Sequence, residues 1–98
     1  EELEDPSGLA QCEIVAARAE RALGNDLDAL EHAERARALL RRTRDPHHEI
    51  LAMAEIAAHH IANARVERAR EIFKEAESLG PPEVTSRALE SFATLFRV

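Results

Sequence analysis

From Leu9 onward, apolar side chains recur at Cys12, Val15, Ala16, Ala19, Ala22 and Leu23. That spacing marks one face of a helix, not the alternation of a strand. Asp5-Pro6-Ser7-Gly8 supplies its start, with Ser7 or Asp5 as cap and a proline tolerated in the first turn. Gly24-Asn25-Asp26 ends this helix and opens a second, striped by Leu27, Leu30, Ala33, Ala36, Leu39 and Leu40. Asp45-Pro46 opens a third, with Asp45 as cap and Pro46 at the first helical position; its stripe is Ile50, Met53, Ile56, Ala57, His60 and Ile61. A break at Asn63-Ala64-Arg65 precedes a fourth helix carrying Val66, Ala69, Ile72, Phe73, Ala76 and Leu79. Gly80-Pro81-Pro82 stops it, with Gly80 expected in the left-handed conformation. A fifth helix, from about residue 83 to 96, carries Val84, Ala88, Leu89, Phe92, Leu95 and Phe96. Nothing alternates with period two, so the fold is predicted to be all-α.

An internal repeat organises these helices. Gly24-Asn25-Asp26-Leu27-Asp28-Ala29 aligns with Ala64-Arg65-Val66-Glu67-Arg68-Ala69 at a period of 40. Ala29 and Ala36 are spaced like Ala69 and Ala76, and such small pairs let the second helix of a hairpin approach the first closely. One domain is expected, with hairpins over about 7–43 and 46–80 and a capping or half-repeat helix over about 83–96.

In the second unit the pattern resembles the tetratricopeptide repeat family. Met53, Ile56, Ala57 and His60 stand where that family places a bulky residue, Leu, a small residue and an aromatic; Ala69, Phe73, Ala76 and Pro81 match its second helix and closing proline. The resemblance covers residues 10–82. It implies a right-handed superhelical array of antiparallel hairpins whose first helices line a concave surface for peptides or helices. The period of 40 departs from the family's 34, and Ala33 stands where the first unit should be aromatic; longer periods are similar to repeats of bacterial signalling regulators. Carried over by position, Leu51, Ala54, Ala58, Ile61 and Ala62 would face the groove, with Arg35, Arg41, Arg42 and Arg44 as rim charges. Packing of Leu51 and Ile61 against helix one or helix five is the equal alternative. The Lys/Asn/Arg set that clamps a C-terminal carboxylate in chaperone adaptors of this family is missing.

Composition narrows the function. Glu, Ala, Arg and Leu supply 57 of 98 residues, and the formal charge is −6, against the electrostatics of a nucleic-acid binder. Three aromatics, all Phe and all at core-like positions, leave no platform for stacking bases. The cluster Arg35, Arg37, Arg41, Arg42 and Arg44 reads as a solvated face, or as a contact for an acidic peptide. No apolar run reaches the roughly 20 residues of a membrane span, and a cytoplasmic setting is expected. The single cysteine, Cys12, makes no internal disulfide and reads as a small core residue.

Catalytic chemistry finds no foothold. Ser7, Ser78, Ser86 and Ser91 lack a nucleophile-elbow context. His48, Glu55 and His59 share a helical face, and Glu55 and His59, four apart, could hold an ion, but no HExxH spacing exists. A solvated face is the expected role of His47, His48 and His59, while His60 is expected to pack. No catalytic residue, metal ligand or cofactor is assigned. The reading is a non-enzymatic interaction module that takes a partner helix, part of a longer parent chain or a second copy of itself. An engineered repeat protein without biological activity is the alternative, and a His/Glu surface metal site ranks third.

Overall fold

The computed structural model describes residues 6–96, apart from the side chain of Val84. They form five helices: α1 (Pro6–Ala22), α2 (Asp26–Thr43), α3 (Pro46–Ala62), α4 (Val66–Glu77) and α5 (Pro82–Phe96). No strand occurs among the described residues. Pro6 and Pro46 open helices of equal length 40 residues apart, and Asp26 and Val66 keep the same offset. The third proline-opened helix follows at Pro82, only 36 residues on, because α4, at 12 residues, is shorter than α2, at 18, while the turn after it is longer.

Backbone conformation repeats with the sequence. At the end of α1 the Asn25 amide donates to the Glu20 carbonyl (2.8 Å) and the Gly24 amide to Arg21 (3.0 Å). At the end of α3 the Arg65 amide donates to His60 (2.7 Å) and the Ala64 amide to Ile61 (3.0 Å). Both are Schellman caps, which place one residue in the left-handed region. Gly24 occupies it at φ 87°, Ala64 at φ 62° and, after α2, Arg44 at φ 56°. Gly80 does not, contrary to expectation; its positive-φ role is absent. A Cβ there would lie 3.1 Å from Thr85 Cγ2 and 3.6 Å from Pro46, so Gly80 is needed for close packing of the α4–α5 turn. Asp45 caps α3 as expected, accepting from the His48 amide at 3.2 Å.

α3 is the hub and touches all four other helices. From Glu49 to His59 only Leu51 escapes burial. One core cluster joins Met53, Ile56 and Ala57 to Ala69, Ile72 and Ala76 of α4 and to Ala88 and Phe92 of α5. A second joins Ala52 to Ala10, Ile14, Ala36 and Leu40. The four repeat alanines Ala29, Ala36, Ala69 and Ala76 are all buried. Phe73, Phe92 and Phe96 form an aromatic knot with centroids 5.1–6.5 Å apart, roofed by the Arg70 guanidinium, which fastens α5 to α4. The outward side of α5 carries Glu83, Ser86, Arg87, Glu90 and Thr94, all exposed, and is polar. The whole is a slab of 43 × 32 × 17 Å.

Several expected environments are reversed. Cys12 is exposed, not core. His59, expected on a solvated face, is buried, and so is Glu55 on the same helical face, where it meets Arg18 and Arg21 of α1. Each reversal has the same cause: the preceding hairpin covers one side of α3, and no hairpin covers that side of α1 among the described residues. Ser7 lies inside α1 and donates to Asp45 Oδ2 instead of capping; Asp5 lies outside the described residues.

Candidate functional site

The five positions assigned to a groove do not form one surface. Ala54 and Ala58 are 5 % and 6 % exposed, with Ala54 packed in the cluster that includes Ala88 and Phe92 of α5. Leu51 and Ile61 are half-buried, and Ala62 is exposed. Leu51 faces a cleft beside α1, whereas Ile61 lines a separate one with Val66, Arg70, Leu95 and Phe96. The helix that covers the middle of the expected groove is α5.

What remains open on this side is the cleft between α1 and α3. Ile14, Val15 and Leu51 supply its apolar wall; Gln11, Arg18 and His48 stand at its edge. Displacement by 40 residues relates Leu51 to Gln11, Ala54 to Ile14 and Ala58 to Arg18, so α1 contributes its share from the same repeat positions. That correspondence was available in the repeat and is the signal that locates the α1 half. The cleft holds about 160 Å³, less than the roughly 300–1,000 Å³ of small-molecule pockets. It has room for one or two side chains.

Two charge clusters fix its edges. The Glu55 carboxylate, 8 % exposed, accepts from Arg18 Nε at 2.9 Å and Arg21 Nη2 at 2.7 Å. This holds the half-exposed Arg18 guanidinium at the rim. At the other end Asp45 Oδ2 accepts from Ser7 Oγ (3.0 Å) and pairs with His48 Nδ1 (2.8 Å). Burial would raise the Asp45 pKa, but the His48 amide, the His48 ring and the Ser7 hydroxyl outweigh it and hold the carboxyl below its usual range. Asp45 sits between serine and histidine, so the Ser7 hydroxyl donates to the carboxylate and the imidazole pairs with that same oxygen, not with the hydroxyl. The cluster is a helix cap tied to α1.

The remaining polar groups serve the frame. Glu13 pairs with His32 Nδ1 and Arg35 Nε across α1 and α2. Burial opposes its ionisation, yet His32 and Arg35 together keep its pKa low. Arg37 and Arg41 both approach Glu49, at 3.6 and 3.5 Å, and Arg37 also reaches Glu75 at 3.6 Å. The Arg37 Nε and His59 Nδ1 atoms are buried without a hydrogen bond. His60, half-buried beside this network, has its pKa lowered by burial and then by its electrostatic interactions with His59, Arg65 and Arg68. Of the four expected rim charges, Arg35 and Arg41 are thus engaged in ion pairs, Arg42 and Arg44 are exposed, and none borders the α1–α3 cleft. No group of three or more metal-ligating side chains occurs among the described residues.

No family model, curated protein or solved structure matches this chain. The cleft's own chemistry therefore carries the functional reading. Among the described residues no helix is long and apolar enough to cross a membrane.

Proposed function

We propose that this chain is a non-enzymatic, tetratricopeptide-like scaffold module that seats an amphipathic helix of a partner protein in the cleft between α1 and α3. The observation that supports this reading is a solvent-facing apolar wall of Val15 and Leu51 beside an Arg18 guanidinium held outward by Glu55. Helix-in-groove recognition uses apolar anchors at i and i+3 or i+4, and a volume of one or two side chains suits such anchors. The rim cation selects an acidic residue flanking them, which fixes the direction of the bound helix. A cytoplasmic setting fits the single exposed thiol of Cys12, which stays reduced there.

Selection from a displayed library of helical peptides tests the proposal. Enriched sequences are expected to share apolar residues at i and i+3 or i+4 with a nearby carboxylate. Their binding is expected to fall at least about tenfold on Leu51→Asp and to weaken on Arg18→Ala. Enrichment without that pattern, or binding indifferent to Leu51→Asp, overturns it.

A further inference from the structure

α1 and the turn residue that follows it, Leu23, expose more apolar surface than the cleft uses. Leu9, Val15 and Leu23 are 49, 63 and 75 % exposed, and Leu27 at the start of α2 is 77 % exposed. Displacement by 40 residues carries Leu9, Cys12, Ala16 and Ala19 onto Glu49, Ala52, Ile56 and His59 of α3, all buried. The first hairpin is what buries that side of α3: Ala52 packs with Ala10, Ile14, Ala36 and Leu40, and Glu49 meets Arg37 and Arg41. α1 thus presents the surface of an inter-hairpin interface one repeat earlier, in residues more apolar than those α3 buries. Leucine and alanine stand where α3 has Glu49 and His59.

The chemistry of this surface selects its occupant. End-to-end stacking of copies is disfavoured, because the outward side of α5 is polar and would bury Glu83, Arg87 and Glu90 against leucines. The α1 face instead matches itself. Leu9, Cys12, Ala16, Ala19 and Leu23 follow spacings of three and four, the seam of a packed helix pair. Read in reverse, the order of sizes is unchanged, with a leucine at each end and small side chains between. Two α1 helices laid antiparallel about a two-fold axis near Ala16 would set each Leu9 beside the partner's Leu23. The small centre lets the backbones close. Glu13 and Glu20, which flank the seam, are already held within their own chain by His32 with Arg35 and by Asn25.

We propose that the outer face of α1 is the interface of an isologous homodimer of this chain, formed by the Leu9–Leu23 seam with Leu27 at its edge. α1 is 17 residues long, about 25 Å, so the strip buries about 500 Å² per copy, less than the about 800 Å² of a standard interface. An interface of this size fits a dimer that dissociates on dilution. This inference does not rest on the α1–α3 cleft: Val15 borders both surfaces, but Leu51 tests the cleft while Leu9 and Leu23 test the dimer.

Sedimentation velocity with light scattering, from about 1 to about 500 µM, measures it directly. The mass is expected to rise from 10.9 kDa to twice that value and no further. The double variant Leu9→Glu/Leu23→Glu and the single variant Ala19→Glu are expected to weaken the dimer at least about tenfold. All three positions are exposed, so the helical circular dichroism should be retained. Ala93→Glu, on the exposed side of α5, is the control and should dimerise as the parent does. A monomer throughout the range leaves the face to another chain and overturns the proposal. So does a dimer untouched by the variants, or growth to higher oligomers.

Discussion

Gly24 and Ala64 hold one backbone conformation with two different side chains. Only glycine enters the left-handed region without a Cβ penalty, and the penalty is about 1 kcal/mol or somewhat more. Nothing lies within 4 Å of a Cβ placed on Gly24, so conformation alone sets the effect there. Ala64→Gly is therefore expected to raise stability by up to about 1 kcal/mol, and Gly24→Ala to lower it by about 1 kcal/mol. Urea unfolding followed by circular dichroism checks both, and equal effects of the same sign would contradict the shared cap. The repeat alignment already paired these two residues. Gly80 shows the limit of that legibility: a glycine before two prolines reads as a left-handed stop, but a Cβ there would crowd Thr85 on the next helix and Pro46, 34 residues away, and that packing leaves no trace in the local sequence.

At the scale of elements, α1 and α3 are joined through a carboxylate that the sequence places on a polar stripe. Glu55 is buried and its two arginines are about half exposed. Removing the cations strands a buried charge, whereas removing the anion lets both guanidiniums return to water. Arg18→Met with Arg21→Met is expected to cost about 2–3 kcal/mol, and Glu55→Met clearly less. Thermal and urea unfolding of the two variants decide the order; a larger loss from Glu55→Met would mean that the pair owes little to desolvation. Helix periodicity identified each element and its apolar stripe. It could not report that α3 is covered on nearly every side, because a single helix carries no record of how many neighbours it has. His59 departs from its expected solvated face for this reason, and Cys12 from its expected core position for the converse one.

Across the whole molecule, three groups tie stability to acidity with one sign. Glu13 and Asp45 titrate below their ordinary values of 4.5 and 3.8, so the unfolded chain takes up those protons first and their stabilisation is lost as pH falls through that range. His60 titrates below 6.5; the folded state resists a proton the unfolded chain accepts, so its effect also appears as a loss on acidification, beginning near 6.5. The urea midpoint is expected to hold from about pH 8 to about pH 7, decline below about 6.5 and decline again below about 4.5. His60→Phe should remove the first decline, and its persistence in that variant would place the proton elsewhere. By itself the sequence determined the five helices, the Asp45 cap of α3, the 40-residue offset between hairpins and the small residues that let each hairpin close. These follow from local spacing and from side chains acting on their own backbone. Tertiary structure alone decided that α5 closes over Ala54, that α3 is the hub and that α1 keeps an apolar side exposed. Burial belongs to the neighbour as much as to the residue, and the order in which hairpins stack fixes which equivalent positions acquire one.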